Sequence, residues 1–240
     1  MSLVPLRVRA RLAAGIAHAS PWGIALDGLL AAQLWAAQRT TLRAQPDYTR
    51  PADQPVPPDL NLPLARCTPP DGPWHWAATC AYPDPPPSRV DVHTWTGRAD
   101  HRALEQLATR LPAHLPARQG RYRARRMPLL VTPCPAVTWH AVGDLDAVTE
   151  LVSDIVSIGK KRSSGEGHVL GWEVSPAPDL DPLTAAHLHP DGSLGRPTPP
   201  ACLARFDRLV PDGGTGRAGI RPPYMHPARQ HQLHLPALLP

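Results

Sequence analysis

The stretch AVTWHAVGDLDAVTELVSDIVSIGKKRSSGEGHVLGWEV, residues 136–174, decides the fold, because it encodes a strand, a helix and a second strand in succession. Residues 137–142, with the sequence VTWHAV, are typical of a strand. Asp144 then precedes apolar residues that recur at helical spacing over residues 145–156. Alternating apolar residues over 168–174 predict the second strand. This strand–helix–strand unit indicates an α+β fold.

The beginning of the chain repeats the order of strand and helix. Residues 3–12 alternate strictly between apolar side chains and a row formed by Arg7, Arg9 and Arg11, the pattern of a half-buried strand. Apolar residues at helical spacing then predict a helix over residues 25–39. With the first unit, this predicts a single domain over residues 1–240 that has helices on one face of a sheet.

Proline-rich segments separate these units. The chain has 33 prolines and 17 glycines, a share below that of generally disordered proteins, so we expect an ordered domain with long, stiff loops. The predicted elements outside the two units are an extended surface segment at 45–73, short strands at 74–80 and 90–95, a helix at 100–111, and a proline- and histidine-rich C-terminal extension at 176–240. Within the extension, the Asp-Gly of HPDGSLGRP, residues 189–197, predicts a hairpin.

Charge and hydropathy narrow the class of protein. Lys and Arg number 25 against 20 Asp and Glu, a formal charge of +5 that is compatible with an anionic partner. No stretch approaches the roughly 20 apolar residues that span a bilayer. The apolar run at residues 12–17 is short for a signal peptide. We therefore expect a cytoplasmic protein without a membrane partner.

The loop at residues 159–167, here called the glycine-rich loop, is the first candidate site. Its three glycines permit positive φ and close approach of backbone amides to a ligand, while Lys160, Lys161 and Arg162 supply charge for phosphates. It lacks the Gly-Lys-Ser/Thr ending of a Walker loop and follows a helix, which disfavours an NTPase. The alternative is an ordinary helix C-terminus, with Gly159 as the cap and cations favoured by the helix dipole.

Two further basic segments favour a polyanion. The sequence RYRARR at 121–126 either combines phosphate-binding side chains with one stacking ring or forms a solvated basic loop. Its candidate RNA-binding residues are Arg121, Tyr122, Arg123, Arg125 and Arg126. The row of Arg7, Arg9 and Arg11 either faces RNA from an open sheet or meets acidic residues from another layer.

Catalytic and metal-binding patterns are weak. A metal-independent ribonuclease would use a histidine as general acid or base, and His18, His140 and His168 are the candidates nearest the predicted sheet. No GxSxG, paired-carboxylate or HExxH pattern occurs, so no catalytic residue is assigned. Cys67, His75 and Cys80 offer three zinc ligands, but their spacing fits no finger and no fourth ligand is evident. We expect buried thiols, and neither a metal nor a cofactor.

Four segments give the chain a resemblance to a known family. They are IALDGLLAAQLW at 24–35, WHWAATCA at 74–81, IGKKRSSGEGHVLGWEV at 158–174 and GIRPPYMHP at 219–227. With them the chain resembles the RAMP-type subunits of CRISPR effector complexes, in particular the type IV subunit that caps the crRNA 5′ handle, a relative of the Cas-five subunit. The resemblance implies a ferredoxin-like, RRM-related core and a noncatalytic RNA-binding role. It also implies assembly with backbone and large subunits around crRNA, with target DNA near the PAM as a further partner.

The resemblance also implies particular contacts. Matching the family's glycine-rich loop places seven residues against crRNA: Gly159, Lys160, Lys161, Arg162, Gly165, Gly167 and His168. An inserted thumb-like segment that grips the handle is also expected, within residues 84–136; the candidates for it are the proline-rich middle of the chain and RYRARR. The alternatives that remain open are a crRNA-processing endoribonuclease and a structural protein without RNA affinity.

Overall fold

The computed structural model of the chain describes residues 2–18, 22–42, 55–86, 91–97, 101–107, 118, 123–162 and 165–238. The fold is mixed α/β, with mostly antiparallel sheets and few helices. In chain order the elements are β1 (Val4–Leu12), β2 (Gly15–Ala17), α1 (Leu26–Leu42), β3 (Arg66–Cys67), β4 (His75–Trp76), β5 (Tyr82–Asp84), β6 (Asp91–Gly97), α2 (His101–Leu107), β7 (Arg125–Pro133), β8 (Ala136–Gly143), α3 (Leu145–Ser153), β9 (Val169–Pro176), α4 (Pro182–His187), α5 (Pro200–Leu203), β10 (Thr215–Gly219), a 3-10 helix (Pro227–Arg229) and β11 (Gln230–His234).

A four-stranded sheet forms the centre of the molecule. Its order is β5-β8-β1-β9, and every neighbouring pair is antiparallel. Val8 of β1 lies opposite Trp139 of β8 on one side and Val174 of β9 on the other. Because the apolar residues of β1 alternate, all of them face one side, where they pack with residues of α1 and α3 in a single buried cluster. The sequence predicted β1, β8, α3 and β9 close to their observed bounds.

The opposite face of β8 is covered as well, so this strand is buried along its whole length. Ala185 and Ala186 of α4 pack there beside Val142. The segment at 45–73, predicted to lie on the surface, is partly buried where it is described: Leu62 and Leu64 belong to the main core. Its isolated leucines enter the core between prolines, a pattern without either regular period.

Three smaller sheets lie outside the centre in the described part of the chain, and one of them is the two-residue pair of β3 and β4. Between β5 and β8 the chain forms β6, α2 and β7, and β7 pairs with both β6 and β2. Near the C-terminus, β10 pairs with β11. The Asp-Gly turn of the extension is present, since Gly192 has φ of 82° and Leu188 bridges Leu194 in antiparallel fashion. Among the described residues, no helix has the length and apolar character needed to cross a membrane.

Candidate nucleic-acid interface

The glycine-rich loop is anchored at its base. The amide of Ile158 donates to the carbonyl of Gly167 at 2.9 Å, which closes the loop on itself. The loop also bonds to β2: the Lys160 amide donates to Ala17 at 2.7 Å and the Gly167 amide to Gly15 at 3.0 Å. These hydrogen bonds occupy backbone amides of the loop that were expected from the sequence to be available to a ligand.

The loop glycines divide into two kinds. A Cβ on Gly159 would lie 2.4 Å from the carbonyl oxygen of Ala17, and a Cβ on Gly167 would lie 1.9 Å from that of Ile158. Both have positive φ, so these two glycines serve the packing of the loop against its neighbours. Gly165 also has positive φ, but no atom of the described residues lies within 4 Å of its Cβ position. Gly165 therefore leaves room for close approach of a ligand.

The cations of the loop differ in their surroundings. Lys160 and Arg162 are exposed, whereas the ammonium of Lys161 lies 3.1 Å from the ring centroid of Trp95 on β6. The same strand makes a second contact, in which His93 Nδ1 lies 2.8 Å from Glu166 Oε1. The glycine-rich loop and the predicted thumb-like region 84–136 therefore meet in space.

The hairpin formed by β6 and β7 carries part of the RYRARR segment. Arg125 and Arg126 lie opposite Gly97 and Thr96 in the β6–β7 register, and both are exposed, as is Arg123. Arg121 and Tyr122 lie outside the described residues. The described part of this segment thus presents three guanidinium groups on the hairpin that contacts the glycine-rich loop.

The row of arginines on β1 is paired with carboxylates. Its ion pairs are Arg7 with Asp179 at 3.2 Å, Arg9 with Asp84 at 3.1 Å and Glu173 at 3.5 Å, and Arg11 with Glu173 at 3.5 Å. Asp84 and Glu173 belong to β5 and β9, so these partners come from the same sheet rather than from another layer. Because the carboxylates offset its charge, the row is a weaker candidate for phosphate binding than the loop.

A groove of about 680 Å³ lies beside the glycine-rich loop. All four segments that carried the resemblance contribute to its lining; representative residues are Leu29, Cys80, Arg162, Tyr224 and Met225. Arg196 and, on β10, Arg217 also belong to the lining, which therefore includes three arginines. Sequence reasoning missed Arg217, since nothing in its local pattern links β10 to a loop more than fifty residues earlier.

A buried polar network supports one wall of the groove. Asp27 at the start of α1 is fully buried and accepts a hydrogen bond from the Tyr224 hydroxyl, while Arg196 Nη2 lies 3.7 Å from its second oxygen. Burial raises the pKa of the Asp27 carboxyl, and the charge of Arg196 opposes that rise. Arg196 also donates to the carbonyls of Ala78 at 2.7 Å and Ile220 at 2.8 Å. The network thereby fixes the GIRPPYMHP segment against α1.

The three histidines considered for ribonuclease chemistry lie on different elements. Burial lowers the pKa of His18 to about 4 and also lowers that of His140, so both rings are neutral at pH 7. His18 Nε2 lies 3.1 Å from Thr132 Oγ1, and His140 Nδ1 lies 3.1 Å from the carbonyl of Leu188. His168 is exposed at the end of the glycine-rich loop. None of these three described histidines forms a hydrogen bond with another of the three.

Of the three residues that the sequence offered as zinc ligands, one lies apart and two lie beside a further histidine and cysteine. Cys80 lines the groove, whereas Cys67 and His75 lie with His187 and Cys202, whose ligand atoms all come within 4.8 Å of one another. We call these four residues the Cys2His2 cluster, and all four are buried. His187 and Cys202 belong to α4 and α5, more than a hundred residues after β3 and β4, so local spacing gave no sign of them.

The family of the chain follows from its similarity to a known family model. No curated protein matches the chain. A family model described as "CRISPR type IV associated protein Csf3" matches residues 4–183, which include the whole central sheet and the glycine-rich loop. The protein is thus a component of type IV CRISPR systems. The chain belongs to the Csf3 family.

Proposed function

We propose that this protein is a noncatalytic subunit that binds the crRNA 5′ handle in a type IV CRISPR effector complex. The observation that carries the proposal is the groove: segments far apart in sequence converge on it next to the glycine-rich loop. Membership of the Csf3 family supports the CRISPR context, and the basic loop supports RNA as the ligand.

The groove offers both kinds of contact that a nucleotide needs. Apolar side chains such as Leu29 and Met225 provide surface for a base, and Met225 is 87% exposed. Arg162 and Arg217 provide guanidinium groups for phosphates. A single unstacked nucleotide at the end of the handle is therefore the occupant that we propose, since single-stranded RNA exposes base faces in this way.

The core and the hairpin support a RAMP-type organisation. The order of elements β1, α1, β5, β8, α3, β9, with an antiparallel sheet in the order β5-β8-β1-β9, is that expected of a ferredoxin-like domain. In this proposal the β6–β7 hairpin is the thumb that grips the handle, because it contacts the glycine-rich loop and presents exposed arginines. Backbone and large subunits of the effector complex, and target DNA near the PAM, are the further partners.

The proposal is tested by handle binding across a salt series. Replacing Lys160, Lys161 and Arg162 with alanine should weaken binding of repeat-derived handle RNA by the purified chain. It should also lower the slope of log affinity against log salt by about 0.7 for each phosphate that the variant no longer neutralises. Fluorescence anisotropy at several salt concentrations measures both quantities.

A charge-matched control uses the paired row on β1. Replacing Arg7, Arg9 and Arg11 with alanine removes the same number of charges from side chains already paired with carboxylates, so the salt slope should change less. Equal effects of the two triple variants, or no effect of the first, would contradict the assignment of the loop. An RNA of the same length and unrelated sequence distinguishes handle recognition from general affinity for polyanions.

The noncatalytic role is tested with the same RNA. A general base works best when its pKa lies near the operating pH, whereas burial lowers the pKa of His18 to about 4 and shifts the pKa of His140 in the same direction, away from pH 7. Labelled repeat RNA incubated with the purified chain in EDTA should therefore stay intact. Cleavage that is abolished in His168→Ala would instead support the endoribonuclease alternative.

A further inference from the structure

The geometry points to a structural zinc site formed by the Cys2His2 cluster, with Cys67, His75, His187 and Cys202 as its four ligands. The ligands come from four short elements. The β3–β4 register places Cys67 opposite His75, so both side chains leave the same face of the strand pair. His187 is the last residue of α4, and Cys202 lies within α5.

Four of the six distances between ligand atoms of the cluster are those of a tetrahedral zinc site, and the other two are at most 4.8 Å. Zinc bonds of about 2.3 Å to sulfur and about 2.0–2.1 Å to nitrogen imply separations of about 3.8 Å between two sulfurs, about 3.6 Å between sulfur and nitrogen, and about 3.4 Å between two nitrogens. Here the two sulfurs, Cys67 Sγ and Cys202 Sγ, lie 3.7 Å apart, and the two Nε2 atoms lie 3.3 Å apart. The distance from Cys67 Sγ to His187 Nε2 is 3.7 Å, and that from Cys202 Sγ to His75 Nε2 is 3.6 Å.

Outer hydrogen bonds orient the two imidazoles for coordination. His75 Nδ1 lies 2.9 Å from the carbonyl of Trp76, and His187 Nδ1 lies 2.8 Å from that of Leu183. A carbonyl only accepts, so each Nδ1 carries the proton and each Nε2 presents a lone pair to the centre of the cluster. Two lone pairs facing each other at 3.3 Å in a buried site repel, and a cation between them removes that repulsion.

The net charge of the site and its complete set of four protein ligands indicate a structural rather than a catalytic metal. Two thiolates neutralise one divalent ion, so the buried site would carry no net charge. Arg205 Nη1 lies 3.6 Å from Cys67 Sγ and donates to that sulfur from outside the cluster. Because four protein ligands complete a tetrahedron, the site has no open position for water or substrate.

The same geometry disfavours two other chemistries. A Rieske-type [2Fe–2S] centre binds its cysteine pair to one iron and its histidine pair to the other, which separates the pairs. Here sulfur and nitrogen atoms approach within 3.6 and 3.7 Å, as around a single ion. A disulfide between Cys67 and Cys202 would bring their sulfurs to about 2.05 Å. It would leave the repulsion between the facing Nε2 lone pairs of the two histidines in place.

Metal analysis of the full chain tests the site. Protein purified without a polyhistidine tag from zinc-containing medium should carry about one zinc ion per chain, measured by inductively coupled plasma mass spectrometry. The double variant Cys67→Ser with Cys202→Ser should lose that zinc. The control is Cys134→Ser, which replaces a buried cysteine that donates to Thr132 outside the cluster, and which should retain it. Zinc-free wild-type protein, or equal zinc in all three proteins, would overturn the proposal.

A second measurement does not depend on the folding of any variant. X-ray absorption at the zinc edge of the wild-type protein should show two sulfur neighbours at about 2.3 Å and two nitrogen neighbours at about 2.0–2.1 Å. A shell made of light atoms alone would refute the site, as would a native mass that reveals a Cys67–Cys202 disulfide. Removal of zinc by a chelator should lower the melting temperature of wild-type protein, whereas an unchanged value would argue against a structural role.

Discussion

At the scale of single residues, Gly167 and Gly165 have the same kind of backbone but different surroundings. Gly167→Ala should destabilise the protein strongly, because its Cβ would collide with the Ile158 carbonyl at 1.9 Å in addition to adopting positive φ. Gly165→Ala is the matched control, since it adds only the cost of positive φ, about 1 kcal/mol. Urea unfolding of the two variants measures the difference, and equal decreases in stability would show that the contact with Ile158 is not rigid.

The arginines of β1 also show that a sequence pattern predicts the face on which a side chain lies but not its partners. Alternation alone placed Arg7, Arg9 and Arg11 correctly on one face of β1, because period-two patterning follows directly from strand geometry. Their pairing with Asp84 and Glu173 depends on which strands flank β1, and a single sequence does not encode that order locally. The same limit applies to the Cys2His2 cluster, for which only Cys67 and His75 stood close enough in sequence to be noticed.

At the scale of elements, the contact of the glycine-rich loop with β6 organises the interface. Trp95→Ala should remove the ring beneath Lys161, a cation–π contact worth about 0.5–2 kcal/mol, and so loosen the loop from the hairpin. Hydrogen exchange should then become faster in both the loop and the β6–β7 hairpin. The Lys160 amide should stay protected, since it bonds to Ala17 of β2.

Val92→Ala provides the control for this prediction. Val92 lies on the same strand but is 62% exposed, so its truncation should leave exchange in the loop unchanged. Faster loop exchange in Val92→Ala would mean that general weakening of β6, rather than removal of the Trp95 ring, is responsible. Unchanged exchange in Trp95→Ala would show that the hydrogen bonds to β2 alone hold the loop.

Elements with strong periodicity were predictable, and short ones were not. The helix α3 and the strand β1 were found from 3.6-residue and two-residue repeats, and β8 and β9 from shorter patterns over residues 137–142 and 168–174. In contrast, β3 and β4 have two residues each and α5 has four, too few for any repeat to be recognised. These short elements depend on tertiary contacts, including the cluster and the carbonyl bonds of Arg196, for their place in the fold.

At the scale of the whole molecule, residues beyond the family match cover one face of the central sheet. A chain shortened to residues 1–183 keeps every matched residue but lacks Ala185 and Ala186, which cover one face of β8, and Arg196 and Tyr224, the partners of Asp27. The shortened chain therefore exposes apolar surface of β8 to water and loses the ion pair and the hydrogen bond of Asp27. We expect the shortened chain to be insoluble or to lack a cooperative unfolding transition, as measured by circular dichroism beside the full chain.

A soluble 1–183 chain that unfolds cooperatively would contradict this prediction. It would show that the matched residues form an independent domain and that residues 184–240 are an accessory. The sequence left this point open, because the proline-rich composition of the extension describes its loops but not what they cover.

The position of β1 in the central sheet has a consequence for synthesis on the ribosome. β1 is the first strand to be made, yet its partners are β8 and β9, and Val8 pairs with residues 139 and 174. Both edges of β1 therefore remain unpaired until most of the chain has been translated. Pairing residues so far apart in sequence closes long loops, which slows folding. During that interval the nascent strand exposes unpaired backbone and alternating apolar side chains, which makes the growing chain a natural client for ribosome-associated chaperones.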